Sequence, residues 1–276
     1  MTRRTHSQTR TDATTDAATT RDPVANPALA AIAPASALDA VLDAATVVVD
    51  ECIVAVTPDG LAITAIDAAT VGMVDLELDA DAFDAYDATE FQFGVDLERL
   101  QAVVAMAGPD GTVELVVDDD TRELHVRIGE LAYTLALLDP DAIRSPPDTT
   151  AIADDLDATV TVDGDVVARV IDAADMVVST LALGVDTDDR TLYAHADGDT
   201  DTVDFELDAD DCHGFDPSPA HSLFSVDYLA ALTGVLPSDD PVDLALDEDA
   251  PVTLSYDVAD GAGRVQLLVA PRLSAS

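Results

Sequence analysis

The stretch Val74-Asp-Leu-Glu-Leu-Asp-Ala-Asp81 occurs twice in this chain of 276 residues. It returns 129 residues later as Val203-Asp-Phe-Glu-Leu-Asp-Ala-Asp210, with Leu76 replaced by Phe205. Two further matches keep the same order along the chain, residues 41–49 with 170–178 and residues 93–97 with 224–228. A spacing of about 130 residues is that of a whole domain, well above the repeat length of a solenoid. The sequence therefore predicts a tandem duplication of one domain.

The charge balance of the chain is extreme. It carries 56 acidic residues against 12 basic ones, all of them arginine, and its formal net charge is −44. Such a charge pushes a compact fold apart in dilute buffer, whereas molar salt shortens the Debye length to about 3 Å and screens the repulsion. An acidic disordered chain is excluded because 48% of the residues are hydrophobic and regularly patterned. The composition predicts a halophilic globular protein from a salt-rich cytoplasm.

Neither a signal peptide nor a membrane span is expected. The longest apolar runs, residues 102–108 and 131–138, are far shorter than the ~18 residues of a spanning helix. The two cysteines, Cys52 and Cys212, occupy positions that are not equivalent in the two repeats. They are predicted to be reduced thiols rather than a disulfide, as is usual for a cytosolic chain.

The chain divides into five segments by composition. Residues 1–27 form a Thr/Ala/Asp/Arg-rich segment that has too few apolar residues to fold, and they are predicted to be a disordered tail. Its alternatives are a dispensable extension, a misassigned start and a basic arm that touches nucleic acid. The remaining segments are a first domain (residues 28–138), a proline-bearing connector (139–153), a second domain (154–273) and a C-terminal tail (274–276).

Each domain is expected to contain two helices among short strands. Ser36 is predicted to cap a first helix, Asp96 a second over residues 97–107, and Asp227 the last, which ends at Leu236. Another helix is predicted near residues 166–174 by its apolar face. Alternation and turn signals predict the following strands: residues 52–56, 61–66, 71–78, 113–117, 124–128, 131–138, 158–162, 181–185, 191–196, 203–207, 242–246, 252–258 and 264–269.

Six stretches carry a resemblance to a known family. They are Asp50-Glu-Cys52, residues 60–67 with 71–74, residues 135–141, Ala173-Ala-Asp-Met176, residues 223–229 and Val269-Ala-Pro-Arg272. Together they resemble the DNA sliding clamps of the archaeal–eukaryotic type, the proliferating cell nuclear antigen family, over about residues 29–273. The resemblance implies an α+β DNA clamp fold with two duplicated domains per chain, each with two helices packed on antiparallel sheets, closing into a ring.

The resemblance also implies a function. A member of this family would be a non-enzymatic, cytoplasmic processivity factor that encircles duplex DNA as a homotrimer. It would tether DNA polymerase and other replication or repair proteins, engage a clamp loader and clients that carry a peptide motif, and need neither a cofactor nor a membrane.

Particular residues follow from the same resemblance. The DNA-facing helices would present Arg99 and Arg169. Client peptides would dock in a groove lined by Ile66, Val71, Ile143, Pro251, Leu268, Ala270 and Pro271. Subunits would join through a first-domain edge at residues 130–137 and a second-domain edge at residues 190–196, which carry Tyr133, Leu135, Leu192 and Tyr193. Each of these groove and edge residues is also compatible with ordinary core or strand packing.

One departure from the family pattern keeps a second function open. The four predicted helices offer only Arg99 and Arg169 to DNA phosphates, and the first presents Asp39 and Asp43 instead. Electrostatic attraction to DNA weakens as salt rises, so a closed ring can hold DNA by topology alone. The alternative is a clamp-like paralogue or scaffold that binds replication and repair proteins with weak or no grip on DNA.

Motifs for metal binding or catalysis are incomplete. The segment Asp197-Gly-Asp-Thr-Asp201 has the spacing of a calcium loop, but Thr202 stands where glycine is needed and Asp208 where glutamate is expected. Cys212, His213 and His221 lack the paired spacing of a structural zinc site. The sequence predicts neither a metal nor a catalytic site, and an acidic metal-dependent enzyme is only a remote alternative.

Overall fold

The computed structural model of the chain describes residues 24–144, 146 and 156–272. The predicted tail up to residue 23, the connector at residues 145 and 147–153, and the C-terminal tail at residues 274–276 lie outside the described residues.

The first half of the described chain contains nine strands and two helices. In order they are β1 (Leu29–Pro34), α1 (Ala35–Thr46), β2 (Glu51–Thr57), β3 (Gly60–Ile66), β4 (Gly72–Asp79), β5 (Ala85–Ala88), β6 (Phe91–Asp96), α2 (Leu97–Val104), β7 (Thr112–Asp118), β8 (Glu123–Ile128) and β9 (Leu131–Ala136).

The second half repeats this order element by element. It contains β10 (Ala158–Asp163), α3 (Gly164–Asp175), β11 (Thr180–Asp186), β12 (Thr191–Asp197), β13 (Thr202–Asp208), β14 (Gly214–Asp216), β15 (Ala220–Ser225), α4 (Val226–Thr233), β16 (Pro241–Leu246), β17 (Val252–Val258) and β18 (Gly263–Val269). The predicted α+β fold with two helices per repeat on antiparallel sheets is confirmed. No helix of the described ranges is long and apolar enough to cross a membrane.

The strands form two kinds of antiparallel sheet in each half. The order β5-β1-β7-β8-β9 in the first half corresponds to β14-β10-β16-β17-β18 in the second. The order β4-β3-β2-β6 likewise corresponds to β13-β12-β11-β15. Strand β18 pairs with β4 along its whole length, which joins the two halves in one nine-stranded sheet. The repeat equivalents of these two strands, β9 and β13, end their sheets without such a partner among the described residues.

The two copies of the repeated stretch occupy different environments. Residues 74–79 lie in β4, between β3 and β18, whereas residues 203–208 lie in β13 at a sheet edge. Each copy is followed by a single 3₁₀ turn, Ala80–Ala82 and Ala209–Asp211. Leu76 is fully buried, whereas Phe205 is half-buried. The two copies therefore share the same local structure, but only the first copy pairs with a strand from the other half of the chain.

Of the three residues predicted to cap helices, one lies at the cap position in the structure. The Asp96 carboxylate accepts a hydrogen bond from the Arg99 amide at 3.0 Å, so the predicted cap of α2 is confirmed. Helix α1 begins one residue before Ser36, directly after Pro34, whose φ of −57° is suited to a helix start. Helix α4 begins at Val226, so Asp227 lies inside the first turn rather than at the cap. The predicted caps Ser36 and Asp227 are therefore wrong.

Candidate assembly, partner and nucleic-acid interfaces

Strand β9 forms the free edge of the first five-stranded sheet. Within the part of the chain that the structure describes, it pairs with β8 alone, and it lies within the predicted first edge at residues 130–137. Leu131 and Tyr133 are 43% and 41% exposed, which is high for large apolar side chains. Leu135 is buried on the same side of the strand. Contact of this edge with another subunit stays a prediction.

The predicted edge at residues 190–196 is wrong. Strand β12, which contains Leu192 and Tyr193, pairs with β11 on one side and with β13 on the other. Leu192 is buried in the core. The Tyr193 side chain lies over Gly184, and its hydroxyl contacts His221 Nδ1 at 2.8 Å. The outermost strand of this sheet is β13, because β13 follows β12 in the chain and pairs with its outer side. Pairing with another subunit at this side of the sheet would therefore use β13.

An open groove of about 450 Å³ lies beside Ile66 and Ile143, two of the predicted groove residues. Ile66 ends β3, and Ile143 follows the short 3₁₀ turn Pro140–Ala142 at the start of the connector. The remaining wall is both apolar and charged: Val48, Val49, Asp50, Glu51, Ala65, Asp67, Ala68 and Arg144. Such a mixed lining suits a peptide with apolar anchors and polar ends.

The other five predicted groove residues lie at one end of neighbouring strands, outside the wall of this groove: Val71, Pro251, Leu268, Ala270 and Pro271. The Ala270 amide donates to the Val71 carbonyl at 2.8 Å. Leu268 and Ile66 flank Met73 from its two neighbouring strands. These five residues and Ile66 therefore lie at one end of β3, β4, β17 and β18. Ile66 connects this group of strand ends with the groove beside Ile143.

Asp67 organises the loop between β3 and β4, and the sequence did not single it out. Its carboxylate accepts backbone hydrogen bonds from Val71 at 2.7 Å, Gly72 at 3.0 Å and Ala69 at 3.1 Å. The Tyr228 hydroxyl of α4 donates to it at 3.0 Å. An Asp followed by small residues indicates a local turn, but nothing in the sequence indicates the contact with Tyr228.

The hydrogen bonds at Asp67 determine its protonation. Partial burial raises the pKa of the carboxyl, and the bonds from Gly72, Val71, Tyr228 and Ala69 together outweigh that effect and lower the pKa below its ordinary value. The carboxylate is therefore ionised at neutral pH. It fixes the loop beside the groove by charge-assisted hydrogen bonds.

Two contacts hold the end of the first domain and the start of the connector against the rest of the first half of the chain. Arg144 Nη1 donates to the carbonyls of Asp67 and Ala68 at 3.3 and 3.0 Å. Gly94 in β6 exchanges backbone hydrogen bonds with Leu138 at 3.2 and 2.8 Å. A Cβ on Gly94 would lie 2.5 Å from Ile143 Cδ1 and 2.9 Å from Leu138 Cβ. Only glycine at this position lets Ile143 approach the groove so closely.

The helices carry little positive charge. In the described helices Arg99 of α2 and Arg169 of α3 are the only basic residues. Each makes an exposed ion pair near the start of its own helix, Arg99 with Asp96 at 3.2 Å and Arg169 with Asp165 at 3.8 Å. Pairs this exposed contribute little to stability, so both guanidinium groups are available to solvent or to a phosphate. The helices also carry seven acidic residues: Asp39, Asp43, Glu98, Asp165, Asp172, Asp175 and Asp227.

The residues weighed as metal ligands have separate partners. Cys212 Sγ contacts the Asp208 carbonyl, His213 Nε2 contacts Asp163 at 2.6 Å, and His221 contacts Tyr193. Over the ranges that the structure describes, no group of three or more His, Cys, Asp or Glu side chains is arranged to hold a metal ion.

Comparisons with known proteins agree with this architecture. Residues 29–132 match the family model of the proliferating cell nuclear antigen N-terminal domain. The chain is 46% identical over 243 residues to the DNA polymerase sliding clamp of Haloarcula marismortui, covering 88% of this chain and 98% of that protein. It is 44% identical over 246 residues to the clamp of Halobacterium salinarum, with coverage of 89% and 99%. A solved structure of A. fulgidus PCNA with the C-terminal region of FEN-1 superposes with a TM-score of 0.83 at 29% identity, covering 90% of this chain and 100% of that one.

Proposed function

Since the chain belongs to the proliferating cell nuclear antigen family of DNA polymerase sliding clamps, we propose that three copies close into a ring around duplex DNA. The ring tethers DNA polymerase to its template and acts as a processivity factor. Members of this family are not enzymes in general, and we assign no catalytic activity to this chain. Its place of action is with the chromosome in the cytoplasm.

One observation carries the ring: the antiparallel pairing of β18 with β4 inside the chain. Because the halves repeat one topology, β9 and β13 occupy the same places in their sheets as β18 and β4 do. Each pairs with one neighbour, β8 or β12, and neither has a strand on its outer side among the described residues. Pairing β9 of one copy with β13 of the next removes both exposed edges, which otherwise invite aggregation. Of the residues predicted for the subunit interface, Tyr133 and Leu135 fit this joint, whereas Leu192 and Tyr193 lie one strand away from it.

The second element of the proposal is client binding at the groove beside Ile66 and Ile143. The A. fulgidus relative holds the C-terminal region of FEN-1, which supports a short client segment as the occupant. Val71, Pro251, Leu268, Ala270 and Pro271 extend the docking surface along the strand ends. DNA polymerase, the clamp loader and repair proteins would compete for this surface.

The third element is the hold on DNA. We assign Arg99 and Arg169 to the face turned towards DNA, and we expect the ring to retain DNA mainly by topology, since screening weakens phosphate contacts at high salt. The units that build the ring are a first domain at residues 28–138 and a second at residues 154–273. The connector over residues 139–153 joins them.

Molar mass and clamp loading test the proposal in two steps. Light scattering in about 2–3 M KCl, where charge repulsion is screened, should give the mass of a trimer, and a stable monomer there would refute the ring. Polymerase extension on primed circular DNA should lengthen when the protein and its loader are added. A trimer that binds client peptides but leaves extension length unchanged would instead support the alternative, a scaffold with a weak grip on DNA, which the seven acidic helix residues favour.

A further inference from the structure

The internal pairing of β18 with β4 fixes a register for the joint between copies. Asp204 in β13 is the repeat equivalent of Asp75 in β4, at the spacing of 129 residues. Glu114 and Asp243 are also 129 residues apart, and they lie opposite Arg127 and Ser255, so Arg127 and Ser255 are equivalent. Arg127 in turn lies opposite Ala132 and Ser255 opposite Gln266, which makes Ala132 in β9 the equivalent of Gln266 in β18. Gln266 lies directly opposite Asp75. The same geometry between copies therefore sets Ala132 opposite Asp204 of the next copy.

This register covers the exposed apolar residues of β9. Leu131 and Tyr133 are the equivalents of Val265 and Leu267, which lie opposite Leu76 and Val74 inside the chain. Between copies, Leu131 faces Phe205 and Tyr133 faces Val203. Phe205 and Val203 are half-buried on the core side of β13. The joint thus buries an apolar row on one face of the continuous sheet.

The opposite face of the joint carries charges. Within the chain the corresponding row is neutral apart from Asp75: Gln266 Nε2 donates to Ser255 Oγ at 3.2 Å, and Thr64 Oγ1 donates to Asp75 Oδ1 at 3.3 Å. At the joint between copies, alanine replaces the glutamine and arginine replaces the serine. A short side chain at Ala132 leaves open the space between Arg127 on one side and Asp204 on the other.

The distance across that space suits an ion pair. Arg127 and Asp204 lie two strand spacings apart, about 10 Å between their Cα atoms at ~4.8 Å per spacing. An extended arginine and an aspartate together span this gap. Arg127 forms an ion pair with Glu114 at 3.6 Å, with side chains 65% and 51% exposed. Such a pair contributes little and is readily exchanged.

Charge complementarity supports the same contact. The outward side chains of β13 are Thr202, Asp204, Glu206 and Asp208, all exposed and three of them acidic. Asp204 already contacts His195 Nδ1 at 2.6 Å. A chain with only 12 arginines places one of them, Arg127, one strand in from the opposite free edge. The occupant that fits the acidic edge is therefore a second copy of this chain.

We propose that Arg127 of one copy reaches over Ala132 and forms an ion pair with Asp204 of the next, which His195 holds in place. The contact rests on the proposed ring, and it specifies the register in which subunits join. It stabilises the correct pairing, because a shift by two residues would set Ala132 opposite Glu206 or Thr202 and leave Asp204 out of line with Arg127.

A charge swap tests the ion pair through assembly. Arg127→Glu and Asp204→Arg should each raise, on the order of tenfold, the protein concentration at which half of the chains are trimers. The double variant should return to within about threefold of the unmodified chain, because the pair is restored in reverse. Arg99→Glu makes the same charge change on α2, away from both edges, and should leave assembly unchanged. Circular dichroism and thermal unfolding of each variant show whether it is folded.

Disulfide trapping tests the register without relying on charge. Opposed residues of an antiparallel pair have Cα atoms about 4.5–5.5 Å apart, within the range of a disulfide, whereas diagonal ones are about 7–8 Å apart. Ala132→Cys with Asp204→Cys, in a Cys212→Ser background, should oxidise to covalent dimers and trimers. The offset pair Ala132→Cys with Glu206→Cys should not.

The outcomes separate the inference from the ring. A trimer that is unaffected by either charge reversal, or whose double variant shows no recovery, overturns the ion pair and leaves the ring standing. Trapping of the offset pair, or of neither pair, overturns the register. An unmodified chain that stays monomeric at every concentration and salt overturns both the ring and this contact.

Discussion

The hydrogen bond from Tyr228 to Asp67 links the two halves of the chain and can be removed by deleting one oxygen. The two residues lie 161 positions apart in sequence, and their side chains meet at 3.0 Å. A hydrogen bond to a charged group contributes about 1.5–3 kcal/mol when it is well shielded from water. Both side chains are only half-buried here. We therefore expect Tyr228→Phe to lower the free energy of unfolding by about 1 kcal/mol.

Replacing the acceptor should cost more than replacing the donor. Asp67→Asn leaves one carbonyl oxygen for the amides of Ala69, Val71 and Gly72, and turns an NH₂ group towards donors. We expect a loss of about 2 kcal/mol. The pKa of Asp67 is lowered in the folded state, so its contribution is present above the unfolded value near 3.9 and is lost as pH falls through the folded pKa. The difference in stability between the unmodified chain and the Asp67→Asn variant should therefore shrink below about pH 4.

Urea unfolding in about 2 M KCl of the two single variants and the double variant measures the coupling directly. The double variant should be less destabilised than the sum of the singles by about 0.5–1 kcal/mol, because the bond can be lost only once. Tyr86→Phe is the matched control: its hydroxyl contacts the carbonyls of Thr57 and Gly60, so it should add to Asp67→Asn without coupling. Additivity of Tyr228→Phe with Asp67→Asn would show that the contact does not join the two halves.

Three further substitutions, two of them with a matched control, test local backbone and capping features by thermal unfolding. Gly94→Ala should destabilise the fold by about 1–3 kcal/mol and weaken client-peptide binding, since the new methyl displaces the connector, whereas Gly234→Ala, where a Cβ would have open space, should be neutral or slightly stabilising. Ala259→Gly should stabilise by about 0.5–1 kcal/mol because Ala259 has a φ of +51°, and an unchanged melting temperature would contradict this account of the β17–β18 turn. Asp96→Ala should cost about 1 kcal/mol as a lost cap while Ser36→Ala should be nearly silent, and equal losses would contradict the cap assignment.

The repeat and the apolar periodicity predicted most of the fold because they report on local structure. The long strands and the four helix positions follow from alternation and from faces such as Leu97, Leu100, Val103 and Val104. The predicted strand ranges did not include β1, β5, β6, β14 or β15. β5 and β14 have four and three residues, too few for alternation to show.

The sites depend on contacts that no local pattern encodes. Ile66 and Ile143, which the resemblance assigned to one groove, line the same cavity. Asp67 and Tyr228 meet only because the second half of the chain packs on the first. The edge prediction failed for a related reason. The sequence pattern predicts a strand at both residues 191–197 and residues 202–208. Only the pairing order in the structure shows that the second of them lies at the edge of the sheet.

The pairing of β18 with β4 makes half of the joints in the proposed ring insensitive to dilution. The two strands belong to one chain, so each meets its partner at an effective concentration on the order of millimolar whatever the amount of protein in the cell. The β9–β13 joints have no such tether and depend on the free concentration of subunits. A ring built in this way opens to admit DNA at β9–β13 joints, and the covalently tethered joints keep each open segment intact while it does so.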